Sequence, residues 1–121
     1  MSARRPYREI THLDPEETFD LPGPRVLPLV RIRIGRAGDR WYSVADASHA
    51  TGGFGGPLGY YPHDPDFGAD TSREDAIYSA IEQARRHLGW APKETVKHRA
   101  WLDELEEREV RQGNLFAGVG R

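Results

Sequence analysis

The sequence predicts an α+β fold in which one or two C-terminal helices pack on a small antiparallel sheet. Val30, Ile32 and Ile34 alternate with arginines, which is the two-residue period of a half-buried strand. Farther along, apolar residues recur every three to four positions over residues 77–88, as they do on one face of a helix. At 121 residues, 37% of them hydrophobic, the chain is long enough for one domain with a small core.

The sheet is expected to be built on a β-hairpin. Strands at residues 30–34 and 41–47 are joined by turn residues that include two glycines. A glycine-rich segment follows, with five glycines among residues 52–59. Because glycine costs backbone entropy and offers no side chain to pack, this segment is expected to be a loop, with room for a short third strand at residues 58–61.

The first helix is expected to open at Thr71. Thr71 and Glu74 have the spacing of a capping box, and Gly89 supplies a terminator. The apolar stripe between these signals would face the sheet and consists of Ile77, Ile81, Ala84 and Leu88.

A second, highly charged helix is expected from Pro92 to about Gln112. Isolated helices of this length are marginal in water, so this helix needs a partner surface. It packs on its own domain, pairs with a second copy in a homodimer, or binds another protein, and the sequence leaves all three open. Its apolar face is narrow and consists of Val96, Ala100, Trp101 and Leu105.

The predicted organisation of the chain has four parts. Prolines and the lack of an apolar period make residues 1–24 an irregular N-terminal arm. Residues 25–90 would form the ββ(β)α core domain, and residues 91–112 the charged amphipathic helix. Residues 113–121 would be a flexible tail.

Composition narrows the classes of function. The chain has no cysteine, which excludes a disulfide framework, a thiolate zinc site and a cysteine nucleophile. It has no apolar run of membrane-spanning length and no signal-peptide pattern, so we expect a cytoplasmic protein that is not associated with a membrane. No spacing predicts a catalytic residue, a metal site or a cofactor. An enzyme working from the glycine-rich loop, with His49 or His63 beside a carboxylate, ranks last.

Charge is unevenly distributed although the net charge is only −2. Residues 25–40 contain five arginines and one acid, whereas residues 103–109 contain five acids and one base. The acidic segment could imitate phosphates toward a partner. The strand arginines could hold nucleic acid or an acidic partner, and the candidates are Arg31, Arg33, Arg36 and Arg40.

The most specific motif follows the second helix, at residues 112–116. The amide of Gln112 can orient a peptide by hydrogen bonding, while Leu115 and Phe116 can fill an apolar pocket. This pentapeptide resembles the short motif with which bacterial DNA-processing proteins dock on the replication sliding clamp. The resemblance implies a protein partner and makes these three residues the candidate binding site.

A broader resemblance covers residues 41–88. It is carried by the tryptophan-containing hairpin, by the Phe-Gly-Gly-Pro-Leu loop at residues 54–58, and by the Thr-Ser-Arg-Glu-Asp-Ala-Ile helix start at residues 71–77. These features resemble small accessory proteins of bacterial phages, plasmids and other mobile elements, and the helix start also resembles HicB-like antitoxins. The resemblance implies a non-enzymatic, protein-binding accessory. An inhibitor of host defence complexes, of the anti-CRISPR kind, is the alternative.

Overall fold

The computed structural model describes residues 9–50 and 52–112, and it confirms the α+β fold. Six strands precede two helices, and the second helix continues as a π-helix. In chain order the elements are β1 (Thr11–His12), β2 (Glu17–Leu21), β3 (Val30–Ala37), β4 (Arg40–His49), β5 (Gly52–Phe54), β6 (Gly59–Tyr60), α1 (Arg73–Leu88), α2 (Val96–Leu105) and the π-helix (Glu106–Arg111).

The main sheet has four strands in the order β2-β3-β4-β5, and every neighbouring pair is antiparallel. The predicted hairpin is confirmed as its centre: β3 and β4 pair from Val30 opposite Ala47 to Ala37 opposite Arg40. Gly38 occupies the turn with φ of 64°, a left-handed conformation that favours glycine. A separate two-stranded sheet joins β1 to β6.

The prediction of an irregular arm through residue 24 is wrong for β1 and β2. Strand β2 lies along β3 with Phe19 opposite Ile32 and Leu21 opposite Val30. Phe19 and Leu21 alternate with exposed residues, so β2 does have a strand period. The alternation is short and flanked by prolines, and it becomes a strand because β3 offers a free edge.

The glycine-rich segment also differs from the predicted loop. Residues 52–54 form the short strand β5, paired with the end of β4. The expected third strand at residues 58–61 exists as β6, but it pairs with β1 rather than with the hairpin. Close approach explains a glycine here, since a Cβ on Gly53 would lie 2.7 Å from the carbonyl oxygen of Ala47.

The core lies between one face of the main sheet and the helices. Its largest buried side chains come from β3, from α1 and from α2: Val30, Ile32, Ile34, Ile77, Ile81, Leu88, Leu102 and Leu105. The predicted stripe of α1 is thus confirmed. A smaller cluster covers part of the opposite face of the sheet, where Tyr42, Val44 and Leu58 are buried.

Helix α1 is capped one residue later than the sequence predicted. The hydroxyl of Ser72 accepts a hydrogen bond from the backbone N–H of Asp75, at 3.1 Å. Thr71 instead donates its hydroxyl to the side chain of Asp75, at 3.3 Å. Ser72 is therefore the N-cap, whereas Gly89 ends the helix as expected.

Replacing Ser72 with Ala should lower the free energy of unfolding by about 1 kcal/mol, since it leaves a helix N–H without its acceptor. Chemical denaturation followed by circular dichroism measures the change. Thr71→Ala is the matched control and should cost less than about 0.5 kcal/mol, because Thr71 accepts no helix N–H. A larger loss in the Thr71 variant would instead support the capping box that the sequence predicted.

Helix α2 begins at Val96, after Thr95, and not at Pro92 as predicted. Thr95 is fully buried, and its hydroxyl donates to the carbonyl oxygens of Leu88 and Ala91 at 3.3 and 2.8 Å. These bonds fix the connection between the two helices. The residues from Pro92 to Glu94 form turns instead of a first helical turn.

The buried face of α2 also differs from the predicted one. Leu102 and Leu105 are fully buried and His98 is almost so, whereas Val96 and Ala100 are exposed. His98 donates from Nε2 to the carbonyl oxygen of Ser48 at 2.8 Å, which ties α2 to β4. Of the three arrangements open at the sequence level, the structure therefore shows α2 packed on its own domain.

Candidate functional site

The C-terminal motif begins where the described chain ends. Gln112 is exposed and follows directly after the π-helix. Leu115 and Phe116 lie outside the described residues, so the binding motif stays a prediction. The described core draws on residues up to Val110, which packs partly against it. Gln112 thus sits at the end of an element that is fixed to the domain.

Arg73 fixes that element to the rest of the fold. Its guanidinium contacts Glu17 of β2 at 2.8 Å, Glu109 of the π-helix at 2.6 Å and Glu74 at 3.2 Å. Hydrogen bonds to Glu17, and then to Glu109 and Glu74, raise the pKa of Arg73 despite burial. Conversely, Arg73 and then Arg108 lower the pKa of Glu109. Three distant segments therefore meet at one cation.

Arg85 makes a second junction between α1 and the helical segment that follows it. It contacts Glu82 at 2.7 Å, Asp103 at 2.7 Å and Glu106 at 2.6 Å. Burial disfavours the charged form of Arg85, but the hydrogen bonds that it donates to these carboxylates outweigh burial and raise its pKa. Asp103, Glu106 and Glu109 of the acidic segment are thus paired with arginines of α1, which links the second helix to the first.

The arginines of the hairpin do not form one open cationic surface. Strand alternation places Arg31 and Arg33 on one face of β3 and Arg36 on the other, where its guanidinium lies 5.1 Å from the ring centroid of Trp41. A phosphate would have to compete with a carboxylate at each arginine. The pairs are Arg31–Asp20 at 2.7 Å, Arg33–Asp46 at 2.8 Å, Arg36–Glu16 at 3.4 Å and Arg40–Asp66 at 2.7 Å.

The glycine-rich loop is closed onto the sheet. Arg33 donates to the carbonyl oxygen of Gly56 at 2.6 Å, and Asp46 accepts from the backbone N–H of Gly56 at 3.0 Å. The same Arg33 and Asp46 form an ion pair, so the contact is a closed set of hydrogen bonds. The N–H of Gly56 is therefore engaged and not presented to a phosphate.

The candidate histidines lie in different surroundings. His49 lies 3.3 Å from a carboxylate oxygen of Glu94, and Trp90 packs on its ring at a centroid distance of 4.9 Å. His63 instead contacts the ring of Tyr61. Although His49 does adjoin a carboxylate, its side chain is only 1% exposed, so a substrate does not reach the imidazole in this arrangement. Within residues 9–50 and 52–112, no three potential ligand side chains gather as a metal site.

A cleft of about 640 Å³ opens along the outer edge of β4. The edge is covered at one end by Asp70, which exchanges two backbone hydrogen bonds with Trp41 at 2.9 and 2.8 Å. It is covered at the other end by β5, where Phe54 lies opposite Ala47. Between these ends no part of β5 pairs with β4, and the cleft lies along this unpaired stretch of the strand edge.

Polar groups and aromatic rings line this edge cleft together. The side-chain oxygen of Gln83, from α1, accepts the backbone N–H of Ala45 at 3.2 Å. Phe54 stacks on His87 with ring centroids 4.5 Å apart, and both rings line the cleft. Tyr61 and Phe67 line the cleft as well, with centroids 5.8 Å apart. A concave site with aromatic walls and a few placed polar groups has the character of a ligand pocket.

The cleft could not be predicted from the sequence because it exists only where β5 stops pairing with β4 in the assembled sheet. Ser43 and Gln83 are forty positions apart and carry no motif. Gln83 lies beside the buried stripe of α1. A polar side chain next to these apolar neighbours was the only sequence feature that pointed to the cleft.

Comparisons with known proteins give no match, whether the chain is set against protein-family models, curated protein sequences or solved structures. The resemblance to mobile-element proteins therefore stays a prediction. Among the helices of the described segments, none is both long and apolar enough to cross a membrane.

Proposed function

We propose that this protein is a non-enzymatic, protein-binding accessory of a bacterial mobile element, recruited to DNA-processing machinery by docking on the sliding clamp. One observation carries the proposal. The folded domain reaches Gln112 through a helix that is fixed by buried leucines and by Arg73, and Gln112 is exposed. The motif therefore follows directly from a rigid support.

Three side chains would form the proposed contact with the clamp. Gln112 would donate and accept hydrogen bonds at the rim of a pocket on the clamp. Leu115 and Phe116 would fill that pocket, since buried aliphatic and aromatic anchors carry most of the affinity of short peptide ligands. The domain would then be the cargo that the clamp carries to DNA.

A binding role suits the rest of the domain better than catalysis does. The hairpin arginines are paired with carboxylates, and His49 is covered by Trp90. These side chains are thus engaged in contacts within the fold. Affinity for DNA-bound machinery is then best supplied by the tail.

Binding to purified sliding clamp, measured by isothermal titration calorimetry, tests the proposal. The intact chain should bind with micromolar affinity, and the double variant Leu115→Ala/Phe116→Ala should lose detectable binding, because it removes both apolar anchors. Circular dichroism should show both proteins equally folded, so that lost binding can be assigned to the motif.

Val119→Ala is the matched control, because it removes an apolar side chain from the same tail but outside the motif. It should bind as the intact chain does. Failure of the intact chain to bind, or unchanged binding by the double variant, would reject the clamp as the partner. A chain cut before Gln112 that still captured a host defence nuclease would support the anti-defence alternative instead.

A further inference from the structure

We infer that the edge cleft along β4 is a binding site for a planar nitrogen heterocycle of the nucleobase class. The inference does not depend on the proposed clamp contact, since the described residues that line the cleft lie between positions 10 and 87. It rests on the polarity of the strand edge, on the aromatic walls and on the closed ends of the cleft.

The first step concerns the backbone of Ser43. In an antiparallel strand, successive residues direct their N–H and C=O groups to alternate edges. Trp41 directs both groups outward to Asp70, and Ala45 directs its N–H outward to Gln83. Ser43 lies between them, so its N–H and C=O also point outward, into the part of the edge that β5 leaves open.

The second step is chemical complementarity. A single residue on a strand edge presents one donor and one acceptor side by side in the plane of the sheet. Each nucleobase carries a ring nitrogen or carbonyl acceptor next to an N–H donor on one edge, and proteins that bind unpaired bases read that edge by hydrogen bonds. The edge at Ser43 is thus matched to such a base. A carbonyl on the ligand would meet the side-chain nitrogen of Gln83, whose oxygen is engaged by Ala45.

The third step concerns shape. The volume of about 640 Å³ lies within the range of small-molecule sites, roughly 300–1,000 Å³. Two pairs of aromatic rings line the cleft, Phe54 with His87 and Tyr61 with Phe67. Such rings stack on the flat face of a base, and stacking is tolerant of base identity.

The closed ends of the cleft favour a base over a peptide strand as the ligand. An added peptide strand would occupy the positions opposite residues 42–46, but Asp70 and Phe54 stand in line with it at either end. The peptide would have to leave the sheet plane at both ends. A single ring system needs no such exit. The base could belong to a free nucleoside or to a single-stranded nucleic acid, and both present the same edge.

Nuclear magnetic resonance titration of the ¹⁵N-labelled full chain tests the inference. The probes are adenosine, guanosine, cytidine, uridine and a short mixed-sequence single-stranded oligonucleotide. At least one probe should shift the Ser43 amide and the Gln83 side-chain amide in a saturable way. Tighter binding by the oligonucleotide would assign the base to a nucleic acid strand, and equal affinity would assign it to a free nucleoside.

Ser43→Pro removes the backbone donor while leaving the β3–β4 ladder intact, because the N–H of Ser43 is not part of that ladder. Proline is tolerated on a strand edge for this reason. Affinity should fall at least about tenfold, as expected for one lost hydrogen bond with a partner left unsatisfied. Ser43→Ala keeps the backbone edge and should bind as the original chain does.

Phe67→Ala is a second variant, which tests the inference even if Ser43→Pro does not fold. Phe67 is 64% exposed, so its loss should leave the fold intact while it removes a stacking wall. Binding should weaken about tenfold or more, in line with the loss of one stacking contact. The inference is overturned if no probe shifts these amides at millimolar concentration, or if folded Ser43→Pro and Phe67→Ala bind as the original chain does.

Discussion

Leu102→Ala is expected to lower the free energy of unfolding by about 2–5 kcal/mol. Leu102 is fully buried in the core that α2 shares with α1 and the sheet. Truncation removes apolar contacts and leaves a cavity, because the helices around it are fixed by ion pairs and cannot collapse freely. Urea unfolding followed by far-ultraviolet circular dichroism measures the change.

Val96→Ala is the matched control for this experiment. Val96 lies on the same helix but is 62% exposed, so the substitution should change the free energy of unfolding by less than about 0.5 kcal/mol. The two variants therefore separate the observed packing face of α2 from the predicted one. A loss at Val96 as large as that at Leu102 would return Val96 to the core and contradict the observed orientation of the helix.

The reason for the misplaced face lies in the polar residues of α2. Sequence reasoning looked for apolar residues alone, and it took Val96 and Ala100 as part of the stripe. The buried set instead includes His98, whose hydrogen bond to Ser48 makes its burial acceptable. A buried polar residue is invisible to apolar periodicity, so the rotation of the helix could not be predicted from it.

Other parts of the fold were predictable for a clear physical reason. In the hairpin, alternate residues such as Ile32 are buried over most of a long strand. In α1, buried residues such as Ile77 recur every three to four positions. The alternating pattern of β2 is too short, and too close to prolines, to predict a strand from the sequence. The strand forms because β3 pairs with it. The edge cleft likewise depends on where β5 stops, which is a property of the assembled sheet and not of a local pattern.

Arg73→Ala should be the second most damaging change, lowering the free energy of unfolding by about 2 kcal/mol. Removing one partner of a buried ion pair costs several kcal/mol, and the remaining solvent exposure of Arg73 reduces that figure. The loss arises because Glu17 and Glu109 are left close together without their shared cation. Arg40→Ala, which breaks the exposed pair with Asp66, is the control and should leave stability unchanged within error.

The same variant should also change how stability depends on pH. Arg73, and then Arg108, lower the pKa of Glu109 below its ordinary value of 4.5 in the folded state. A carboxylate whose pKa is lowered by folding stabilises the fold above its unfolded pKa, and that contribution is lost as the pH falls through the folded pKa. Unfolding free energies measured from pH 7 down to acid should therefore fall less steeply in Arg73→Ala than in the original chain. Equal slopes would mean that the pKa of Glu109 does not depend on Arg73, and they would contradict the prediction.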